Sequence, residues 1–252
     1  MSALGARCAS FAKNGPMRAL LMEFIGTFGL VFSISLNVTN GAASSPAIGI
    51  GFTLLFLVYI GGPISGAHFN PAVTLTELIM GRRSRTLMGL YVVAQAAAGA
   101  IAGVCVQAIR GGAGKIAKAA PFSNQADEIA VEMFFTFFLV LVSWKCGLSK
   151  AEVRQKNSYY GLAVAAVVIS GISGAGSISG AVFNPAVAVG LCSLGVSQWG
   201  TIWIYVLAPC GGALLGLLAF VLLEDESDNK KAKRDLDLDG DIQRLPLLDG
   251  ST

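Results

Sequence analysis

Ser65-Gly66-Ala67-His68-Phe69-Asn70-Pro71-Ala72-Val73 returns later in the chain as Ser179-Gly180-Ala181-Val182-Phe183-Asn184-Pro185-Ala186-Val187, with His68 against Val182 as the single difference. Each copy reads as the start of a helix. Asn suits the N-cap, where its side-chain oxygen accepts an orphan backbone N–H. Pro suits the first helical position, where a missing N–H costs nothing and φ is already helical. The Ser-Gly-Ala run before each cap lets backbone pass close to backbone.

Around these two starts the chain is strongly apolar. Of its 252 residues 54% are hydrophobic and 13% charged, against roughly 25% charged in a soluble globular domain. That composition predicts an all-α, multi-spanning membrane protein. The net charge of +3 gives no reason to expect a nucleic-acid partner. Thirty-one glycines fit close helix packing in lipid, where small residues let backbones approach. The five cysteines, Cys8, Cys105, Cys146, Cys192 and Cys210, form no CxxC and no zinc spacing, so neither a disulfide framework nor a metal site is expected. The single histidine, the lack of a phosphate loop and the lack of a catalytic constellation point away from an enzyme, and no cofactor is expected. The first apolar run has no small-residue cleavage site after it and reads as a retained helix.

Six spans are expected, at about 19–36, 46–60, 86–109, 127–146, 159–172 and 199–223. Two short helices, about 71–80 and 185–192, lie between them and are too short to cross. Residues 1–18 read as a tail, 19–223 as the membrane domain with repeats of about 19–109 and 127–223, and 224–252 as a charged, solvated tail without fixed structure. Glu23-x-x-x-Thr27 in the first span matches Glu132-x-x-x-Thr136 in the fourth. Three spans per repeat give the halves opposite topology, which places a site at the midplane on re-entrant half helices. The two Asn-Pro-Ala loops then enter from opposite sides and meet. Basic residues (Arg7, Lys13, Arg18; Arg82, Arg83, Arg85; Lys150, Arg154, Lys156; Lys230, Lys231, Lys233, Arg234) fall on one side of this arrangement. The positive-inside bias makes that side cytoplasmic, with both termini inside, although Arg110, Lys115 and Lys118 lie opposite.

With both Asn-Pro-Ala boxes, Ser65–Thr74, the paired Glu-x-x-x-Thr and Gln95 in the third span, the sequence resembles the aquaporin (major intrinsic protein) family over about 17–223. The resemblance implies a homotetramer of barrels in the bilayer, each with a passive pore for water and small neutral solutes that excludes protons and ions. It implies that Asn70, Pro71, Ala72, Asn184, Pro185 and Ala186 form the pore centre, with both asparagines donating to a passing oxygen. It implies that Glu23 and Glu132 hold the re-entrant loops through backbone N–H groups, in preference to a proton relay. His68 is read as packing beside the pore rather than as a pH gate.

Four positions that usually form the family's constriction map to Ile50, Ile172, Ala181 and Val187. Strict water channels of the family carry Arg directly after the second box, where this chain has Val187. A Val there is similar to some plant tonoplast members, yet their usual second-span His is Ile50 here. The Asp that typically follows the second box in the glycerol-facilitator branch is also missing, since Ala188 and Val189 follow. The expected filter is therefore wide and apolar, open to glycerol, urea, ammonia or peroxide besides water. Ala181 stands where mercury-sensitive members often have Cys, so mercury block through that position is not expected. The membrane is left open: plasma membrane or an organellar one.

The alternative is a low-flux structural or junction protein on the same fold. A secondary transporter would need a further intramembrane acid or base, and the second repeat shows none beyond Glu132. Weaker signals are a sequon at Asn37-Val38-Thr39, an EF-hand-like start at Asp235–Gly240 that lacks its twelfth-position acid (Pro246), a Leu247-Leu248 pair, and a basic run, Lys230–Arg234, suited to anionic lipid.

Overall fold

The computed structural model describes residues 15–40, 45–112, 124–148 and 158–224. The charged tail, the Asp235–Gly240 run, Leu247-Leu248 and the Lys230–Arg234 cluster lie outside the described residues, as do Arg7, Lys13, Lys115, Lys118, Lys150, Arg154 and Lys156. Eight α-helices are described, and among these residues there is no strand. They are α1 (Gly15–Val38), α2 (Pro46–Ser65), α3 (Pro71–Ile79), α4 (Arg85–Ile109), α5 (Gln125–Val142), α6 (Tyr160–Ala175), α7 (Pro185–Leu194) and α8 (Ile204–Leu223).

Among the described residues five helical stretches are long and apolar enough to cross a membrane: Gly15–Val38, Pro46–Ser65, Arg85–Ile109, Gln125–Gly147 and Trp199–Leu223. The expected fifth span, α6, has 16 residues, about 24 Å of helix. It ends where the chain turns into the second re-entrant loop.

The helix ends follow local chemistry. Asn70 and Asn184 cap α3 and α7, their side chains accepting from Ala72 N and Ala186 N, with Pro71 and Pro185 at N1. Ser84 caps α4 and Asn124 caps α5. The second helix differs from the sequence expectation. Gly61-Gly62-Pro63 does not end it; α2 continues to Ser65 and stops at Gly66, whose φ of 96° gives a left-handed cap. The two glycines serve packing: a Cβ at Gly61 would lie 2.6 Å from the Phe69 ring, and one at Gly62 would lie 2.2 Å from the Tyr160 hydroxyl. At its far end α5 runs into a π-helical turn, Ser143–Leu148.

The packing repeats with the halves exchanged. α1 packs on α2 and α4, as α5 packs on α6 and α8; α4 holds α7, and α8 holds α3. Each half helix therefore touches the other repeat: α7 rests mainly on α4, while α3 lies between α8 and α4 of its own repeat. Glycines make this possible. A Cβ at Gly99 would stand 2.3 Å from Ala186 O, one at Gly103 would stand 2.1 Å from Gly190 O, and one at Gly212 would stand 2.2 Å from Met133 O. Without an appreciable hydrophobic drive between helices in lipid, such close approach supplies the contact.

Arg82, Arg83 and Lys145 share one face, here called the basic face. Arg110 is on the opposite face, tied to the end of α1: its Nε donates to Thr39 Oγ1 at 3.0 Å and its Nη2 to Leu36 O at 3.1 Å. The sequon residue Asn37 lies in the last turn of α1. Its Nδ2 donates to Ser33 O at 2.9 Å, and a Cβ at Gly49 would lie 3.0 Å from its Oδ1.

Gly103→Val and Gly212→Val force backbones apart at sites with no room. Each is expected to cost at least about 1–3 kcal/mol, read as a lower thermal midpoint and loss of monodisperse protein in detergent, whereas Gly89→Ala, where an added Cβ meets nothing, is expected to leave both unchanged.

Candidate functional site

The two re-entrant loops are held by two buried carboxylates. Glu23 takes four donors: Ser65 Oγ at 2.6 Å and His68 N at 3.0 Å on Oε1, Phe69 N at 2.7 Å and Gln95 Nε2 at 2.8 Å on Oε2. Glu132 takes three: Ser179 Oγ at 2.7 Å, Val182 N at 2.9 Å and Phe183 N at 2.6 Å. Successive backbone N–H groups converging on one anion form a nest. The loops reach this geometry through left-handed backbone at non-glycine residues, with φ of 52° and 49° at Ala67 and Phe69, and 54° and 52° at Ala181 and Phe183. Each such residue costs of order 1–3 kcal/mol, an expense that the carboxylate bonds offset.

The loops also bind each other. Asn70 Nδ2 donates to Phe183 O at 2.9 Å, and Asn184 Nδ2 donates to Phe69 O at 2.8 Å. The N-termini of α3 and α7 therefore meet. Each Asn amide uses its oxygen on its own helix and one N–H on the opposite loop, which leaves its second N–H without a protein partner.

A cavity of about 420 Å³ runs past this junction. It extends along α2 from Pro46 to Pro63 and along α6 from Tyr160 to Ile172. Asn70, Asn184 and His68 line it, and so do Ile50, Ile172, Ala181 and Val187. Among the described residues no Asp, Glu, Lys or Arg lines it. Pro71, Ala72, Pro185 and Ala186 are absent from the lining; they begin the half helices behind it. His68 bonds Thr74 Oγ1 through Nδ1 at 3.1 Å, and its Nε2 has no hydrogen-bond partner in the protein.

A family model of major intrinsic proteins matches residues 9–221. The chain belongs to the major intrinsic protein family. It is therefore an integral membrane protein of a channel family. Aquaporin NIP1-3 of Oryza sativa subsp. japonica is 34% identical over 228 residues, covering 85% of this chain and 78% of the relative. A probable aquaporin of NIP type from Nicotiana alata is 32% identical over 230 residues, covering 86% and 81%. The solved aquaglyceroporin of Plasmodium falciparum superposes with a TM-score of 0.68 at 20% identity, covering 85% of this chain and 99% of that one; at that identity the likeness is one of fold.

Three features of this major intrinsic protein escape a reading of the sequence. The first is a tyrosine pair. Tyr91 and Tyr205 each stand 21 residues after their Asn (70 to 91, 184 to 205), and each hydroxyl donates to a loop carbonyl at 2.9 Å, Ser65 O and Ser179 O. That spacing was the available signal. The second is Glu77, buried on α3 with Arg82 and Arg83 at 3.9 and 3.7 Å. These arginines are thus more than topology markers, since they neutralise an acid at the base of the first half helix. The third corrects the expectation of no further acid in the second repeat. Glu128, one turn before Glu132, is 5% exposed, and its Oε2 lies 3.1 Å from the Tyr205 hydroxyl.

Glu132→Ala strands two backbone N–H groups and a hydroxyl in an apolar core, at about 1–3 kcal/mol for each. Detergent-solubilised Glu132→Ala protein is expected to lose its folded state, read by thermal unfolding. Glu128→Gln is expected to unfold at or above the wild-type temperature. The Tyr205 hydroxyl has one hydrogen and two acceptors, Ser179 O and Glu128 Oε2, and Gln supplies a donor.

Proposed function

We propose that this protein is a passive channel for water and small neutral solutes that excludes ions and protons. The supporting observation is the cavity without charged lining that passes the joined half-helix starts. Each helix N-terminus carries roughly half a positive charge, so two aimed at one point repel cations while leaving neutral solutes unhindered. The free N–H of Asn70 and of Asn184 binds a passing oxygen and turns it out of line with its neighbours, which interrupts proton hopping.

Ile50, Ile172, Ala181 and Val187 form the selectivity filter in this reading. All four are aliphatic or small, so the filter holds neither a fixed charge nor a ring. It favours neutral solutes with some apolar surface, such as glycerol or urea, more than a pore carrying Arg at position 187 would. Ammonia and peroxide are smaller than either and fit the same filter. Glu23 and Glu132 serve as loop holders. His68 packs beside the solute file, its Nδ1 bonded to Thr74 Oγ1. The basic face is cytoplasmic by the positive-inside bias, and the protein assembles as a homotetramer with one pore per subunit.

Stopped-flow permeability of proteoliposomes to water, glycerol, urea and ammonia tests the proposal. Flux with little voltage-driven current is expected; liposomes that shrink no faster than empty ones would support a structural role instead. Val187→Arg is expected to reduce glycerol and urea uptake by roughly tenfold, about 1.4 kcal/mol of barrier, and water flux much less. Equal loss of all three would overturn the filter assignment.

A further inference from the structure

The filter positions hold no aromatic ring, but the opposite end of the cavity does. Tyr160, the first residue of α6, lines the cavity where it opens on the basic face, beside Gly62, Pro63, Cys146 and Gly147. Its placement is specified from several directions. The hydroxyl donates to Val58 O at 3.0 Å. The Tyr59 ring packs edge-on against it, with centroids 5.5 Å apart at 72°. Tyr59 is itself fixed, its hydroxyl donating to Ser158 O at 2.5 Å.

Two glycines make the seat. A Cβ at Gly62 would lie 2.2 Å from the Tyr160 hydroxyl, and one at Gly147 would lie 3.2 Å from Cδ2. Gly62 belongs to α2 and Gly147 to the π-helical turn after α5, so the ring bridges the mouth between elements of both repeats. Gly147 sits where the helix has left regular α geometry. A tethered, edge-braced phenol in a glycine slot has little rotamer freedom left, and it stands in the solute path as a fixed wall.

We propose that Tyr160 is a specificity-determining residue that sets the upper size limit for solutes at the basic-face mouth. This inference rests on the channel reading above. In this chain size selection has two stations. The aliphatic filter around Val187 admits neutral solutes, and the Tyr160 mouth limits their girth. A flat phenol face with its hydroxyl already committed to Val58 selects by width and adds little polarity.

The test is a series of linear polyols (glycerol, erythritol, xylitol) against proteoliposomes holding wild type, Tyr160→Ala, Tyr160→Leu or Tyr160→Phe, with water flux measured on the same vesicles. Tyr160→Ala and Tyr160→Leu are expected to raise erythritol and xylitol flux relative to glycerol several-fold with water flux little changed. Tyr160→Phe keeps the ring and its Tyr59 brace and is expected to keep the wild-type cutoff. An unchanged polyol ratio in both Tyr160→Ala and Tyr160→Leu, with water flux intact, overturns the assignment. Should Tyr160→Ala fail to incorporate, Tyr160→Leu alone decides. A wild type without flux would sink the channel reading separately; in that case flux opened by either substitution supports a mouth closed by Tyr160, and silence in both overturns it.

Discussion

Backbone cannot enter the middle of a bilayer with its polar groups unpaired. Each unsatisfied group costs several kcal/mol there, and irregular chain survives only when buried in protein or beside a water-filled space. The two re-entrant loops meet this requirement through one device used twice, a glutamate on a spanning helix that gathers the loop's N–H groups. The carboxylate explains why the loops can adopt left-handed backbone at Ala67, Phe69, Ala181 and Phe183, why a serine precedes each loop glycine, and why the glutamates lie where hydropathy alone would forbid them. The seating of α3 on α8 and of α7 on α4, and the meeting of the asparagines, follow from loops held in this way.

The halves use the device differently. In the first, Gln95, Thr74 and His68 form a polar chain linked to Glu23. The corresponding positions of the second, counted from its Asn, are Pro209, Ala188 and Val182. Three changes in one neighbourhood convert a hydrogen-bonded support into an apolar one, and Val182 and Ala188 join the core cluster around Val187 and Tyr205. The tyrosine partners are exchanged as well. Tyr91 accepts from Arg83 Nη1 at 2.7 Å, whereas Tyr205 faces Glu128. An inverted repeat thus preserves the clamp and the asparagines while the surroundings are free to diverge, and the two sides of the pore centre differ in polarity.

The fold was legible in the sequence because its decisive elements are periodic and paired. Two nine-residue copies, two Glu-x-x-x-Thr motifs and six apolar runs suffice for topology. The boundaries were less legible. Gly61-Gly62-Pro63 reads as a stop, yet tertiary contacts with Phe69 and Tyr160 carry the helix through it. Four cavity-lining residues, Ile50, Ile172, Ala181 and Val187, could be reached by counting from the asparagines, whereas Glu77, Tyr91 and Tyr160 gave no local signal. A buried acid beside two arginines looks like surface charge in one dimension. A tyrosine at a helix start looks like an interfacial residue until Gly62 and Gly147, far apart in sequence, are brought to its ring.

The crossed asparagine bonds also carry a consequence for biogenesis. Asn70 finds its acceptor 113 residues later in the chain, and Asn184 must reach back to Phe69. At about 5–20 residues per second, translation needs roughly 6–23 s to supply that partner. Over that interval the first loop can be clamped by Glu23 but cannot be closed. α3 can rest on α4 of its own repeat from the start, but it gains α8 and the second loop only after the other repeat has entered the bilayer, so the conducting path is the last part of the molecule to take form, and a nascent first half carries no finished hole through the membrane.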